Sequence, residues 1–190
     1  MKYIFITGMG RSGTTFLGNL LSVIPGVTAG HEQVGNREFC VLSWYLSDTK
    51  YNTEFLQRAK NKIEESVRTE WYIDVNGYLQ NTTDELQSVF QPTAMMHLVR
   101  NPAEVIRSVY TRRIETDVHI LPKDDRELDR WLEGDRFQQI CANWQMVVAP
   151  LMAKKVPLLK FEELVSNYDY LQEKLLHPFG FDLPEKNGSN

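Results

Sequence analysis

Apolar and polar positions alternate in blocks along the chain, and the blocks predict strands and helices in turn. Tyr3 to Thr7 is a short apolar, β-prone run halted by Gly8, the pattern of a buried strand. Thr14 to Ile24 repeats at helical spacing, with Phe16, Leu17, Leu20, Leu21 and Ile24 on one face and Pro25-Gly26 as the stop. Val27 to Ala29 fits a second short strand. Glu38 to Leu46 and Glu54 to Val67 read as helices, the latter with Phe55, Leu56, Ala59, Ile63 and Val67 a turn apart. Trp71 to Val75 is a strand candidate. Thr82 to Glu85 matches a capping box opening a helix that runs to about Phe90. Ala94 to Val99 follows as a strand. Asn101-Pro102-Ala103-Glu104 then supplies an N-cap, a first-turn proline and an acid, predicting a helix to about Arg113. Residues 114–136 are dense in charge, which fits a solvated connection, an exposed helix or a mobile cover over a site. Phe137 to Ala153 reads as a helix, Val156 to Phe161 as the last strand, Tyr168 to Leu176 as a short helix and 185–190 as a frayed polar tail.

Strands alternating with helices predict an α/β fold, a three-layer sandwich around a central parallel sheet. Ligands of such sheets sit at the carboxyl ends of the strands. At 190 residues one domain is expected. The net charge of −4 argues against a general nucleic-acid-binding surface, so an anionic ligand must meet a local cluster of cations. No apolar run approaches a membrane span. The two cysteines, Cys40 and Cys141, form no disulfide framework or metal-ligand spacing and are expected as buried free thiols. Together with the lack of a signal-like start, this suggests a cytoplasmic setting.

Gly8-Met9-Gly10-Arg11-Ser12-Gly13-Thr14-Thr15 joins the first strand to the first helix, the context of a phosphate-binding loop. Glycines allow a tight turn that aims backbone N–H groups inward, and the helix start adds partial positive charge. Gly8 and Gly13 hold the glycine positions of the nucleotide triphosphatase motif, but Thr14 stands where that motif has its lysine. The loop's cation is Arg11 instead. A second strand-to-helix junction, His97 to Pro102, carries Arg100, with Ser108 eight residues further on.

On these two motifs the chain resembles the sulfotransferases that use 3′-phosphoadenosine 5′-phosphosulfate. Gly10 and the run Arg11-Ser12-Gly13-Thr14-Thr15 look like the family's 5′-phosphosulfate loop. Arg100-Asn101-Pro102 with Ser108 looks like its 3′-phosphate motif, and Lys160-Phe161-Glu162-Glu163-Leu164 like a late strand-to-helix segment of the fold. The resemblance spans about Tyr3 to Val165. It implies a P-loop sulfotransferase fold, sulfuryl transfer to an acceptor hydroxyl or amine, and no metal. Gly30-His31-Glu32 is similar to the segment that supplies a catalytic glutamate in the tyrosylprotein branch. It thereby implies Glu32 as base, His31 as the second candidate and Arg11 as the cation at the leaving phosphate. Glu32 could instead pair with Arg37. The lysine and histidine of the cytosolic branch are absent at Ile73 to Asn76, where Asp74 could orient Arg11, contact acceptor or cap the strand end. Arg107, Arg112 and Arg113 could reach the 3′-phosphate or lie on the surface. Trp44, Tyr45, Trp71, Tyr72 and Tyr78 could stack on an acceptor or fill the core, and Trp144 reads as core. A small-molecule kinase using ATP and magnesium, or a non-catalytic module binding 3′-phosphoadenosine 5′-phosphate, remain as alternatives. The acceptor class (sugar, lipid, peptide or small metabolite) stays open.

Overall fold

The computed structural model describes residues 1–112 and 120–184. Five strands, β1 (Lys2–Gly8), β2 (Val27–His31), β3 (Trp71–Val75), β4 (Thr93–Val99) and β5 (Leu158–Lys160), form one sheet in the order β2-β3-β1-β4-β5. Every neighbouring pair is parallel. The helices are α1 (Thr14–Ser22), α2 (Arg37–Leu46), α3 (Thr49–Ser66), α4 (Thr83–Val89), α5 (Pro102–Arg112), α6 (Asp125–Glu133), α7 (Arg136–Ala153), α8 (Phe161–Ser166) and α9 (Tyr168–Leu171).

Alternation along β1 divides the core. Ile4 and Ile6 point to a cluster with Leu17 and Leu21 of α1 and Leu164 and Leu171 of α8 and α9. Tyr3 and Phe5 point the other way, to Phe39, Leu56, Ile63 and Leu86 of α2, α3 and α4. Both faces of the sheet are covered, as a parallel sheet requires. A third cluster joins Met9 to Val105 of α5 and Val147, Val148 and Leu151 of α7.

Several sequence expectations need correction. α3 begins at Thr49 rather than Glu54, because Asp48 caps it by accepting from the N–H groups of Lys50 and Tyr51. Thr82 precedes α4 but makes no capping bond; its hydroxyl donates back to the Leu79 carbonyl. Within 120–136, of the solvated connection and the exposed helix that were expected, the helix is found: α6 forms behind an Asp124 cap and buries none of its residues. The part of that segment before Ile120, and the expected tail 185–190, lie outside the described residues. β5 is shorter than expected because Phe161 starts α8. Cys40 is buried, but Cys141 is only half-buried, and neither is in a disulfide. No helix of the described residues is long and apolar enough to cross a membrane.

Candidate functional site

Connections leave β1 toward β2 on one side, and the chain returns through β3 to reach β4 on the other. The β1–α1 loop lies at this reversal, where α/β sheets open a crevice. Two glycines let backbones meet there. A Cβ on Gly8 would stand 2.8 Å from the Leu98 carbonyl oxygen, and one on Gly77 would stand 2.7 Å from that of Gly8. Arg11 (φ 72°) and Gly13 (φ 97°) are left-handed, a conformation from which anion-binding nests are built. For Arg11 it is strained, as residues at functional sites often are.

The two expected anion elements meet at this loop. Arg11 Nε donates to Ser108 Oγ at 3.0 Å, and Arg100 Nη1 donates to the Arg11 carbonyl at 3.1 Å. The Arg100 guanidinium lies 5.1 Å from the Phe161 ring centroid, and the same ring packs so tightly on Gly13 that no side chain fits there. Glu162 Oε1 accepts from the Asn101 N–H at 2.9 Å, and Asn101 Oδ1 caps α5 through the Ala103 N–H. The late strand-to-helix segment thus braces both expected anion elements. Phe16, expected on the buried face of α1, is instead 47% exposed and packs edge-on against Phe161. Its spacing resembled the core stripe, so helical periodicity alone misplaces it. Arg107 turns away, to Glu104 at 2.6 Å.

The candidate bases reach the same crevice from β2. Gly18 of α1 passes close to Gly30 and His31, since a Cβ there would lie 3.1 Å from each. His31 Nε2 shares a hydrogen bond with Thr14 Oγ1 at 3.0 Å and lies 3.5 Å from Thr15 Oγ1. Burial pushes its pKa down, partly offset by the charge of Asp74, so the ring is neutral at pH 7. Glu32 is left-handed (φ 57°) and half-buried, its carboxylate 3.5 Å from His31 Nε2. Burial raises its pKa above the ordinary 4.5.

Asp74 does not reach Arg11. It is fully buried, with Oδ1 accepting from the Gln33 N–H at 3.0 Å and Oδ2 from the Val34 N–H at 2.9 Å and Asn76 Nδ2 at 3.0 Å. It therefore pins the turn that follows Glu32, a role that depends on the pairing of β2 with β3. Burial raises its pKa, while these hydrogen bonds act in the opposite direction.

A cavity of about 330 Å³ opens beside the loop, lined by Arg11, Thr14, Thr15, His31 and Glu32, with Arg37, Tyr78, Arg112 and Asn143 around it. Of the five aromatics considered for stacking, Tyr78 alone lines it. Trp44 and Tyr45 hold Leu121. Trp71 packs on Phe179 and Phe181, and Tyr72 is buried. Trp144 packs against the third core cluster. Arg113 lies outside the described residues. Among the described residues no His, Cys, Asp or Glu side chains group to hold a metal ion.

The sulfotransferase domain family matches residues 2–186. The chain is similar to a solved sulfotransferase domain from the Synechococcus PCC 7002 olefin synthase, with 17% identity, TM-score 0.59, and coverage of 91% of this chain and 71% of that one. It is also similar to a sulfotransferase from Alicyclobacillus acidocaldarius (13% identity, TM-score 0.48, 86% and 74% covered). A third likeness is to shikimate kinase from Bacteroides thetaiotaomicron (14% identity, TM-score 0.47, 90% and 96% covered). No curated protein matches in sequence.

Proposed function

From the premise that the chain belongs to the sulfotransferase domain family, we propose that it transfers a sulfuryl group from 3′-phosphoadenosine 5′-phosphosulfate to an acceptor hydroxyl or amine. The observation that carries this reading is the meeting of Arg11, Arg100 and Ser108 at the β1–α1 loop, with the half-buried Glu32 in the adjoining cavity. The donor has two phosphates, and the loop and the Arg100–Ser108 junction are two neighbouring anion sites. The Phe16–Phe161 pair offers an aromatic platform beside them for the adenine.

The donor supplies an activated sulfur. The acceptor oxygen or nitrogen bonds to it as the sulfur–oxygen bond to the 5′-phosphate breaks. Glu32 takes the acceptor's proton, and its raised pKa strengthens it as a base. His31, neutral and tied to Thr14, orients the hydroxyl and carboxylate around it. Arg11, the loop amides and Thr15 stabilise charge growing on the leaving phosphate.

Calorimetric titration in EDTA tests the two-phosphate site. The protein should bind 3′-phosphoadenosine 5′-phosphate at one site, and adenosine 5′-phosphate at least about tenfold more weakly. Arg100→Ala should erase that difference. Equal binding of the two nucleotides to the unaltered protein would remove the basis for the donor assignment.

A further inference from the structure

Resting on the transferase reading above, we infer that the acceptor carries an anionic group close to the hydroxyl or amine it offers, and that Arg37 selects it. Three arginines, Arg11, Arg37 and Arg112, line the cavity, and Glu32 is its one carboxylate among the described residues. A chain of net charge −4 thus gathers positive charge at its site. The donor's phosphates account for Arg11, which is already engaged with Ser108 and Arg100. They do not account for Arg37, which comes from a different element, the start of α2.

Nothing in the fold explains Arg37 either. The residue is exposed, and its side chain has no ion pair or hydrogen bond among the described residues. Glu32, the carboxylate with which it could pair, lies against His31 instead. A cation in the first turn of a helix meets the positive end of the backbone dipole, so α2 gains no stability from it. An unpaired guanidinium in an unfavourable position, beside the candidate base, is explained by a ligand. Its planar fork suits a carboxylate, phosphate or sulfate bound through two parallel hydrogen bonds. Tyr78 and Val109 supply the partly apolar wall that would strengthen such a pair by excluding water. A cavity of about 330 Å³ shared with Glu32 keeps that anion within a few bonds of the reacting group.

The test uses the protein saturated with 3′-phosphoadenosine 5′-phosphate, so that the donor's anion sites are filled. Three phenols of one shape are titrated calorimetrically: 4-hydroxyphenylacetate, its neutral amide, and the cationic tyramine. The carboxylate should bind about tenfold more tightly than the amide. Arg37→Gln should bring the two within about twofold, and Arg37→Glu should turn the preference toward tyramine. Equal binding of carboxylate and amide, binding of neither, or a preference that survives Arg37→Gln would overturn the inference. Failure of the nucleotide itself to bind would instead count against the transferase reading, so the two failures are distinguishable. Arg37 is exposed, and matching unfolding midpoints for the variants would establish that both fold.

Discussion

At the residue scale the central group is Glu32. Its carboxylate is held partly out of water, so the folded chain binds its proton more tightly than the unfolded chain does. Stability is therefore fully present at low pH and falls as pH rises from about 4.5 through the raised pKa. The ionised form that costs stability is the form that accepts a proton. Glu32→Gln should lower transfer by about 10²–10⁴-fold and yet raise the unfolding midpoint at pH 7–8, the trade-off common at functional sites. Differential scanning calorimetry beside a transfer assay checks both halves. The pH profile of kcat/KM should climb through an acid limb above the ordinary carboxylate range, and that limb should survive His31→Gln. Arg11→Ala should lower turnover more than donor affinity, as expected for a cation that acts on developing charge. A loss confined to affinity, read by titration against single-turnover rates, would contradict that role.

At the element scale, some of the site was readable from sequence and some was not. The β1–α1 loop was legible because its chemistry is local: glycines, a cation and two threonines lie between one strand and one helix. Asn101 was legible as a cap for the same reason. Asp74 was not, since its partners Gln33 and Val34 are about forty residues away and come close only when β2 pairs with β3. Phe16 carries the spacing of a buried face, but α1 turns it out toward Phe161. α6 was legible only as an exposed helix beside the alternative of a plain connection, because its apolar residues, Leu128, Trp131 and Leu132, are diluted by charge and none is buried. Asp74→Asn would set an amide N–H donor against a backbone N–H, at best that of Gln33, and an unmet buried hydrogen bond costs about 1–3 kcal/mol. The expected drop is about 2–12 °C in unfolding midpoint. Loosening of the Glu32 turn should also lower kcat more than it raises KM for the donor. An unchanged midpoint would show that the carboxylate does not hold the turn.

At the scale of the whole molecule, strand order gathers the site. With β1 between β3 and β4, the carboxyl ends of β1, β2, β3 and β4 bring the β1–α1 loop, His31 and Glu32, Asn76, and Arg100 to one edge of the sheet. The α/β class followed from alternating strands and helices, while the order β2-β3-β1-β4-β5 needed the structure, because it depends on which segments pair across the sheet. The same architecture serves sulfuryl and phosphoryl transfer, so the fold does not choose between them. What distinguishes them here is Thr14 in the place of the triphosphatase lysine and the Arg100–Ser108 junction beside the loop. A thermal-shift titration addresses that choice most directly, with 3′-phosphoadenosine 5′-phosphate in EDTA run beside ATP with magnesium. At a hundred times its Kd the bisphosphate should add about 2.7 kcal/mol. That corresponds to a midpoint rise of about 5–10 °C, obtained without metal and not matched by ATP. A rise with ATP and magnesium alone would contradict the account.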